Sequence, residues 1–348
     1  MLEQSLIDKT LADTFLLEIY KASNHNSDIS KLTVGLIKTI NEIYQYFEPN
    51  HFKGELVICS TFDSSIIPLI NPEKIIFDKS VLMMLQSKTL IIQKVNNDLF
   101  IWKNKNIKSL LNNKNTLFYF YKNEVEYFYK NNKIINLKPI AGKFSVFSSY
   151  YYLLSDYLVN YSLTHIYNSS CEHFRTVWAD EKRIYFINKP EKIMHKSLRE
   201  YLKSNLRGIN VEVISEFNLN ARKPVDIRVH WKTANRCALI EIKWLGASMD
   251  KDNKRISTPY TKSRAIDGAK QLKEYLDLAE SDSPEIITKG YLIVIDGRRK
   301  IDRKKILKII SEKDGLYYQS IEINYPDKYK SITNFEPPLR MFARPICQ

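Results

Sequence analysis

Residues 223–244 read KPVDIRVHWKTANRCALIEIKW, and this stretch decides the fold class of the C-terminal half. Val225, Ile227, Val229 and Trp231 alternate with Asp226, Arg228 and His230, while Ala238, Ile240 and Ile242 alternate with Leu239, Glu241 and Lys243. A period of two is a strand's, because successive side chains of a strand point to opposite faces. Two strands are therefore expected. Glu241 and Lys243 then share a face, and Asp226 comes alongside Glu241 if the strands pair.

Two carboxylates and an ammonium at the edge of an apolar layer are costly, since like charges repel and burial disfavours ionisation. A divalent cation relieves the conflict. Oxygen ligands from Asp and Glu, a backbone carbonyl and water suit Mg²⁺ or Mn²⁺. Such a cation acidifies water, and Lys243 orients that water or offsets charge on a phosphate under attack. The chemistry this suits is phosphodiester hydrolysis. The competing reading makes Glu241 and Lys243 ordinary charges on the wet face of an antiparallel strand, with Asp226 a solubilising residue near a turn.

Asp226, fourteen intervening residues, then Glu241-Ile242-Lys243 resembles the active-site signature of the PD-(D/E)XK, or restriction-endonuclease-like, nuclease superfamily. The resemblance implies that Asp226, Glu241 and the carbonyl of Ile242 hold the metal and that Lys243 is catalytic. One departure is visible: Pro224 stands two positions before the Asp, with Val225 between. That proline is commonly missing in the superfamily.

Upstream, EKIMHKSLREYLKSNLRG (residues 191–208) places Ile193, Met194, Leu198, Tyr201, Leu202 and Leu206 on one helical face, with Gly208 closing the helix. Many superfamily members carry a supporting glutamate on this helix, and by facing it is Glu191; the alternative is a first-turn residue complementing the helix dipole. NVEVISEFNLN reads as a strand, and Glu216 near its end is a second candidate for the extra carboxylate. Downstream of Trp244, a polar segment with neither period reads as a loop beside the site. RAIDGAKQLKEYLDLA follows, with a seam of Ala265, Gly268, Ala269, Leu272, Tyr275, Leu276 and Ala279 for close packing on a sheet. Arg264 and Gln271 lie on one flank of that seam. The resemblance implies that this flank reaches toward the site, with Gln271 at the scissile phosphate; a solvent-facing flank is the alternative.

KGYLIVIDG reads as a strand, and after it Arg298, Arg299, Lys300, Arg303 and Lys304 form the densest basic run of the chain. It is read as a contact to a phosphate backbone, against a solvated helix face. LYYQSIEINYP is expected to extend the sheet, and the tail NFEPPLRMFARP to be irregular.

The expected architecture is an α/β, restriction-endonuclease-like core of order helix, strand, strand, strand, helix, strand (αβββαβ) in residues 189–348. A mixed α+β accessory domain in residues 1–188 precedes it, with a boundary at Asn188-Lys189-Pro190. That first part holds two amphipathic helical patterns, one over Leu2 to Ile19 and one over Leu32 to Phe47. The strand-like runs ELVICSTF, TLIIQKV, DLFIWK, TLFYFYK and EVEYFYK follow, then a helical stretch from Ser149.

The formal net charge is +14, of which residues 190–348 carry +10, so the basic excess goes with the motif. Positive charge is the sequence-independent part of binding to a phosphate backbone, which fits DNA as partner. An AT-rich genome raises lysine content without any partner. Apolar residues make up 44% and charged residues 26%, a folded soluble composition. No run of about eighteen apolar residues occurs and no signal peptide is apparent, so a cytoplasmic protein with no membrane association is expected. Four widely spaced cysteines suit reduced thiols rather than structural zinc. Nine glycines leave little room for a glycine-rich nucleotide cradle.

The function these features imply is Mg²⁺-dependent hydrolysis of DNA. The N-terminal half is an element that recognises DNA, a protein partner or a second copy, in the manner of restriction and anti-phage defence effectors. A silent nuclease-fold module that binds DNA or a protein, and an RNA-processing nuclease, are the other readings.

Overall fold

The computed structural model describes residues 15–23, 29–46, 48–49, 52, 54–75, 88–96, 98–137, 144–145, 150–206, 211–219, 223–252, 254–257, 259–302 and 305–348. The chain forms two compact units, residues 1–153 and 154–348.

In the first unit residues 15–22 are helical, and α1 spans Ile29–Tyr46. Leu36, Ile37, Ile40, Ile43 and Tyr44 recur at spacings of one, three and four and are all buried, the stripe that drives a helix onto a sheet. The part of the first expected helix before residue 15 lies outside the described residues. The sheet is built from β1 (Glu55–Thr61), β2 (Glu73–Ile75), β3 (Thr89–Val95), β4 (Asp98–Lys103), β5 (Thr116–Lys122), β6 (Val125–Lys130) and β7 (Lys133–Asn136), in the order β2-β4-β3-β1-β5-β6-β7. Only β1 and β3 run parallel. The two hairpins β5–β6 and β6–β7 turn on Asn123-Glu124 and Asn131-Asn132, all four at positive φ. Two consecutive left-handed residues make the tight turn whose twist matches paired strands, and asparagine tolerates it. The aromatics of residues 118–128 fill both faces of this sheet: Tyr119 and Phe128 pack with α1, while Phe118 and Phe120 pack with Trp102 on the other side.

α2 spans Tyr150–Tyr161 and runs into a π-helical turn, Ser162–Ile166. In the second unit α3 spans Glu191–Asn205 and buries Met194, Leu198 and Leu202. Three strands follow, β8 (Val211–Leu219), β9 (Lys223–Trp231) and β10 (Arg236–Leu245), then α4 (Lys262–Asp282), β11 (Ile287–Asp296) and β12 (Leu339–Phe342). The sheet order is β12-β11-β10-β9-β8. β8, β9 and β10 pair antiparallel; β10, β11 and β12 pair parallel. α4 lays its small-residue seam on β10 and β11, burying Ala265, Ala269, Leu272 and Leu276 against Leu239, Leu292 and Val294.

Three expectations are corrected. The division falls at Leu153/Leu154 rather than at Pro190. Residues 154–188 pack with the C-terminal unit: Tyr161 donates to Ser197 of α3 at 2.8 Å, and Phe186 exchanges backbone hydrogen bonds with Ala247 and Met249. Residues 316–326 form no strand. The free edge of β11 is taken instead by Leu339–Phe342 from the proline-rich tail, starting at Ile293↔Leu339. Pro337 and Pro338 lie just before that strand, where a missing N–H interrupts no ladder. The described residues of the basic run, 298–302 and 305–308, are not helical, so the solvated helix face, the alternative reading of that run, is absent among them.

No helix among the described residues is long and apolar enough to cross a membrane.

Candidate active site

The antiparallel ladder of β9 and β10 runs from Trp231↔Arg236 to Ile227↔Ile240 and stops there. Its next step would set Asp226 opposite Glu241. The strands fork instead, and Oδ2 of Asp226 accepts the backbone N–H of Ile242 at 2.6 Å. A side-chain carboxylate thus replaces a strand partner. The N–H and C=O of a strand residue lean toward the same neighbour, so the Ile242 carbonyl also opens on the fork.

Glu241 is fully buried, at 0% exposure. Its Oε1 accepts from Nζ of Lys243, and its Oε2 has no hydrogen-bond partner. Lys243 also donates to Oε1 of Gln271 at 3.1 Å. Gln271 in turn donates to the Tyr275 hydroxyl at 2.6 Å, and that hydroxyl donates to the Pro224 carbonyl at 3.1 Å. Gln271 and Tyr275 sit one turn apart on α4, so the chain of bonds ties the ammonium to the start of β9. Gly268, one turn earlier, lets α4 lie directly over Lys243. A Cβ added there would stand 2.6 Å from Lys243 Cγ and 3.0 Å from Leu292 Cδ1.

α3 supplies the other wall. His195 Nε2 lies 3.5 Å from Asp226 Oδ2, and Glu191, one turn before it, pairs with Arg264 at 3.3 Å. The Arg264 guanidinium also stacks on the Tyr260 ring, 3.8 Å from its centroid.

Electrostatics follow from this crowding. Burial pushes the Asp226 carboxyl up; His195, the Ile242 N–H and Lys243 oppose that, and Glu191 adds to it. Burial, and then the negative charge of Asp226, push Glu241 up to about 8 against the pull of Lys243 and Arg264. Three carboxylates, Asp226, Glu241 and Glu191, thus crowd about Lys243 and Arg264, and the crowding favours the protonated form of Glu241.

Asp226, Glu241, Lys243, Gln271, Glu191 and Arg264 are thus brought to one place. Glu216 is not. It lies between the pairs Ser215↔Ile227 and Phe217↔Val225 but takes φ +53, is exposed, and makes no hydrogen bond or ion pair among the described residues. The left-handed backbone swings it away from the alternation that would have set it beside Asp226.

Of the basic run, Arg298 bonds both oxygens of Asp296, at 2.9 and 2.7 Å, and Arg299 is buried, donating to the carbonyls of Arg183 and Ala343. Neither guanidinium is presented to a nucleic-acid backbone. Lys300 is exposed; Arg303 and Lys304 lie outside the described residues.

His195 and Tyr275 are the residues that sequence reasoning missed. Each stands four positions after a chosen residue, Glu191 and Gln271, on the same helical face, and that spacing was the available signal.

Among the described residues no group of three or more His, Cys, Asp or Glu side chains is placed to hold a metal ion. The donor set that fits a hard cation is smaller: two carboxylates and the Ile242 carbonyl, with the unpartnered Glu241 Oε2 as the buried acceptor left over. Compared with known families, curated proteins and solved structures, the chain matches no family model, no curated protein and no solved structure.

Proposed function

We propose that this chain is a metal-dependent nuclease of the PD-(D/E)XK kind that hydrolyses DNA phosphodiester bonds. The observation that carries this reading is Glu241: a fully buried carboxylate with one oxygen unpartnered, set at a strand fork against a second, partly buried carboxylate. In the metal-free chain burial and Asp226 favour the protonated form of Glu241, and a cation bound between the two carboxylates would favour their ionised forms. Asp226, Glu241 and the Ile242 carbonyl would hold Mg²⁺ or Mn²⁺, which when bound supplies Lewis acidity to the attack on phosphorus.

The protein's own residues do the rest. Lys243, held by Gln271, sets one positive charge beside the carboxylates, where it faces negative charge developing on a phosphate. Gln271 and Tyr275 fix its direction. His195, with Nε2 3.5 Å from Asp226 Oδ2, positions that carboxylate from the α3 side. Glu191 and Arg264 close the N-terminal side of α4. The net charge of +14 supports a nucleic-acid substrate; DNA, a cytoplasmic setting and a role in restriction or anti-phage defence rest on the resemblance and on composition.

Mn²⁺ binding followed by electron paramagnetic resonance tests the metal site. One site is expected in the wild type, weakened tenfold or more in Glu241→Gln and Asp226→Asn. Equal binding by all three proteins places the metal elsewhere.

A further inference from the structure

A second site stands apart from the strand fork. Asn168, Arg183, Glu312, Arg344, Cys347 and Gln348 are among the residues lining a polar cavity of about 420 Å³, a volume in the range of small-molecule sites. Two arginines are among its lining residues, against one acidic side chain, Glu312. Glu312 lies 3.7 Å from Arg344 and is 70% exposed, so it neutralises that arginine weakly. Arg183 has no hydrogen bond or ion pair from its side chain among the described residues, and burial together with the nearby positive charge of Arg175 disfavours its protonated form. A half-buried guanidinium in that state is stabilised by an anion.

The backbone holds the two arginines in place. Asp180 accepts the N–H groups of Ile184 and Tyr185, closing a turn in which Arg183 takes φ +59. The Asp180 carboxylate holds that turn in one conformation. The Arg344 N–H donates to the Tyr167 carbonyl and the Ile346 N–H to the Lys182 carbonyl, both at 2.9 Å. The tail is thereby pinned against residues 167 and 182.

Arg344 stands two residues after the end of β12, so the cavity lies beyond the C-terminal ends of the parallel strands, where open α/β sheets bind ligands. Lys243 is level with Val294, and Val294 with Arg340. Two strand spacings, roughly 10 Å, and four residues of rise, roughly 13 Å, separate Lys243 from Arg344.

We infer that this cavity binds a phosphate group, mono- or diester, through Arg183 and Arg344. Guanidinium is the side chain whose planar fork matches phosphate oxygens. The phosphate arrives on the end of a nucleic-acid strand or on a free mononucleotide. The inference does not rest on the nuclease reading, since no reaction occurs in this cavity.

Calorimetric titration of the full chain in EDTA tests it, with inorganic phosphate, a 5′-mononucleotide, and one short single-stranded oligonucleotide with and without a 5′-phosphate. Phosphate-bearing probes are expected to bind the wild type. Arg183→Gln and Arg344→Gln should each weaken binding about tenfold or more, and Glu312→Gln should tighten it about threefold. Gln keeps the Cβ of Arg183, so the left-handed turn is no more strained; melting curves check this, and the Glu312 variant tests the site if Arg183→Gln unfolds. Preference for the 5′-phosphorylated oligonucleotide over its 5′-hydroxyl form and over the mononucleotide assigns the site to strand ends, and the reverse order assigns it to free nucleotides. No binding of any phosphate probe, or binding by Arg183→Gln, Arg344→Gln and Glu312→Gln equal to that of the wild type, overturns the inference.

Discussion

The carboxylate of Asp226 accepts the backbone N–H of Ile242 across the point where their strands part, at 2.6 Å. This bond makes Asp226 structural as well as chemical, and the two roles can be separated. Asn offers the same acceptor without the charge, so Asp226→Asn should keep the fork and unfold within about 1 kcal/mol of the wild type. Asp226→Ala leaves the Ile242 N–H unpaired and should destabilise by about 1–3 kcal/mol. Both should lose cleavage. Urea unfolding of the two variants distinguishes the roles; equal stability of Asn and Ala would remove the structural one.

Glu241 predicts a pH dependence of the metal-free protein. Its carboxyl is pushed up to about 8 in the folded chain, against an ordinary value of about 4.3 in an unfolded one. Between those values the folded chain retains a proton that the unfolded chain releases. Stability is therefore expected to fall as pH rises from about 5 to about 8, and to level off above that. Glu241→Gln should flatten this slope. Urea midpoints in EDTA across the range check it, and a wild type that gains stability over the same range contradicts it.

Tyr275 is expected to act on rate through Gln271 and Lys243. Tyr275→Phe removes the hydroxyl that receives from Gln271 and donates to Pro224 while keeping the ring in its buried seam. A fall of roughly tenfold in kcat, with KM little changed and stability within about 1.5 kcal/mol, is the expected result. Gln271→Ala should give a loss at least as large, because it removes the direct bond to Lys243. Tyr275→Phe with wild-type kcat would make the tyrosine a packing residue only.

What the sequence made legible was local. The alternation in residues 225–231 and 238–244 is a property of adjacent side chains, and both strands occur where it lies. The hairpin arithmetic that set Asp226 beside Glu241 gives the right neighbours, although the strands fork one step before they would pair. The seam of α4 was readable because small residues recur on one face. Distant partnerships were not readable. Asp296 collects Arg298 and Arg340, the latter 44 positions away, and nothing in a run of arginines says which of them a buried aspartate will hold. The same holds for β12: a β-rich stretch, 316–326, precedes it, but edge pairing is decided by which segment reaches β11. Glu216 failed for a third reason, a single left-handed residue that breaks an alternation the composition implies.

The most direct test of the nuclease account is cleavage of plasmid and linear DNA by the wild type and Lys243→Ala, each with Mg²⁺, Mn²⁺ or EDTA. The account predicts cutting by the wild type with either metal, none with EDTA, and a loss of about a hundredfold or more in the variant. Cutting that survives Lys243→Ala or EDTA, or no cutting by a wild type that binds DNA as the variant does, would contradict it.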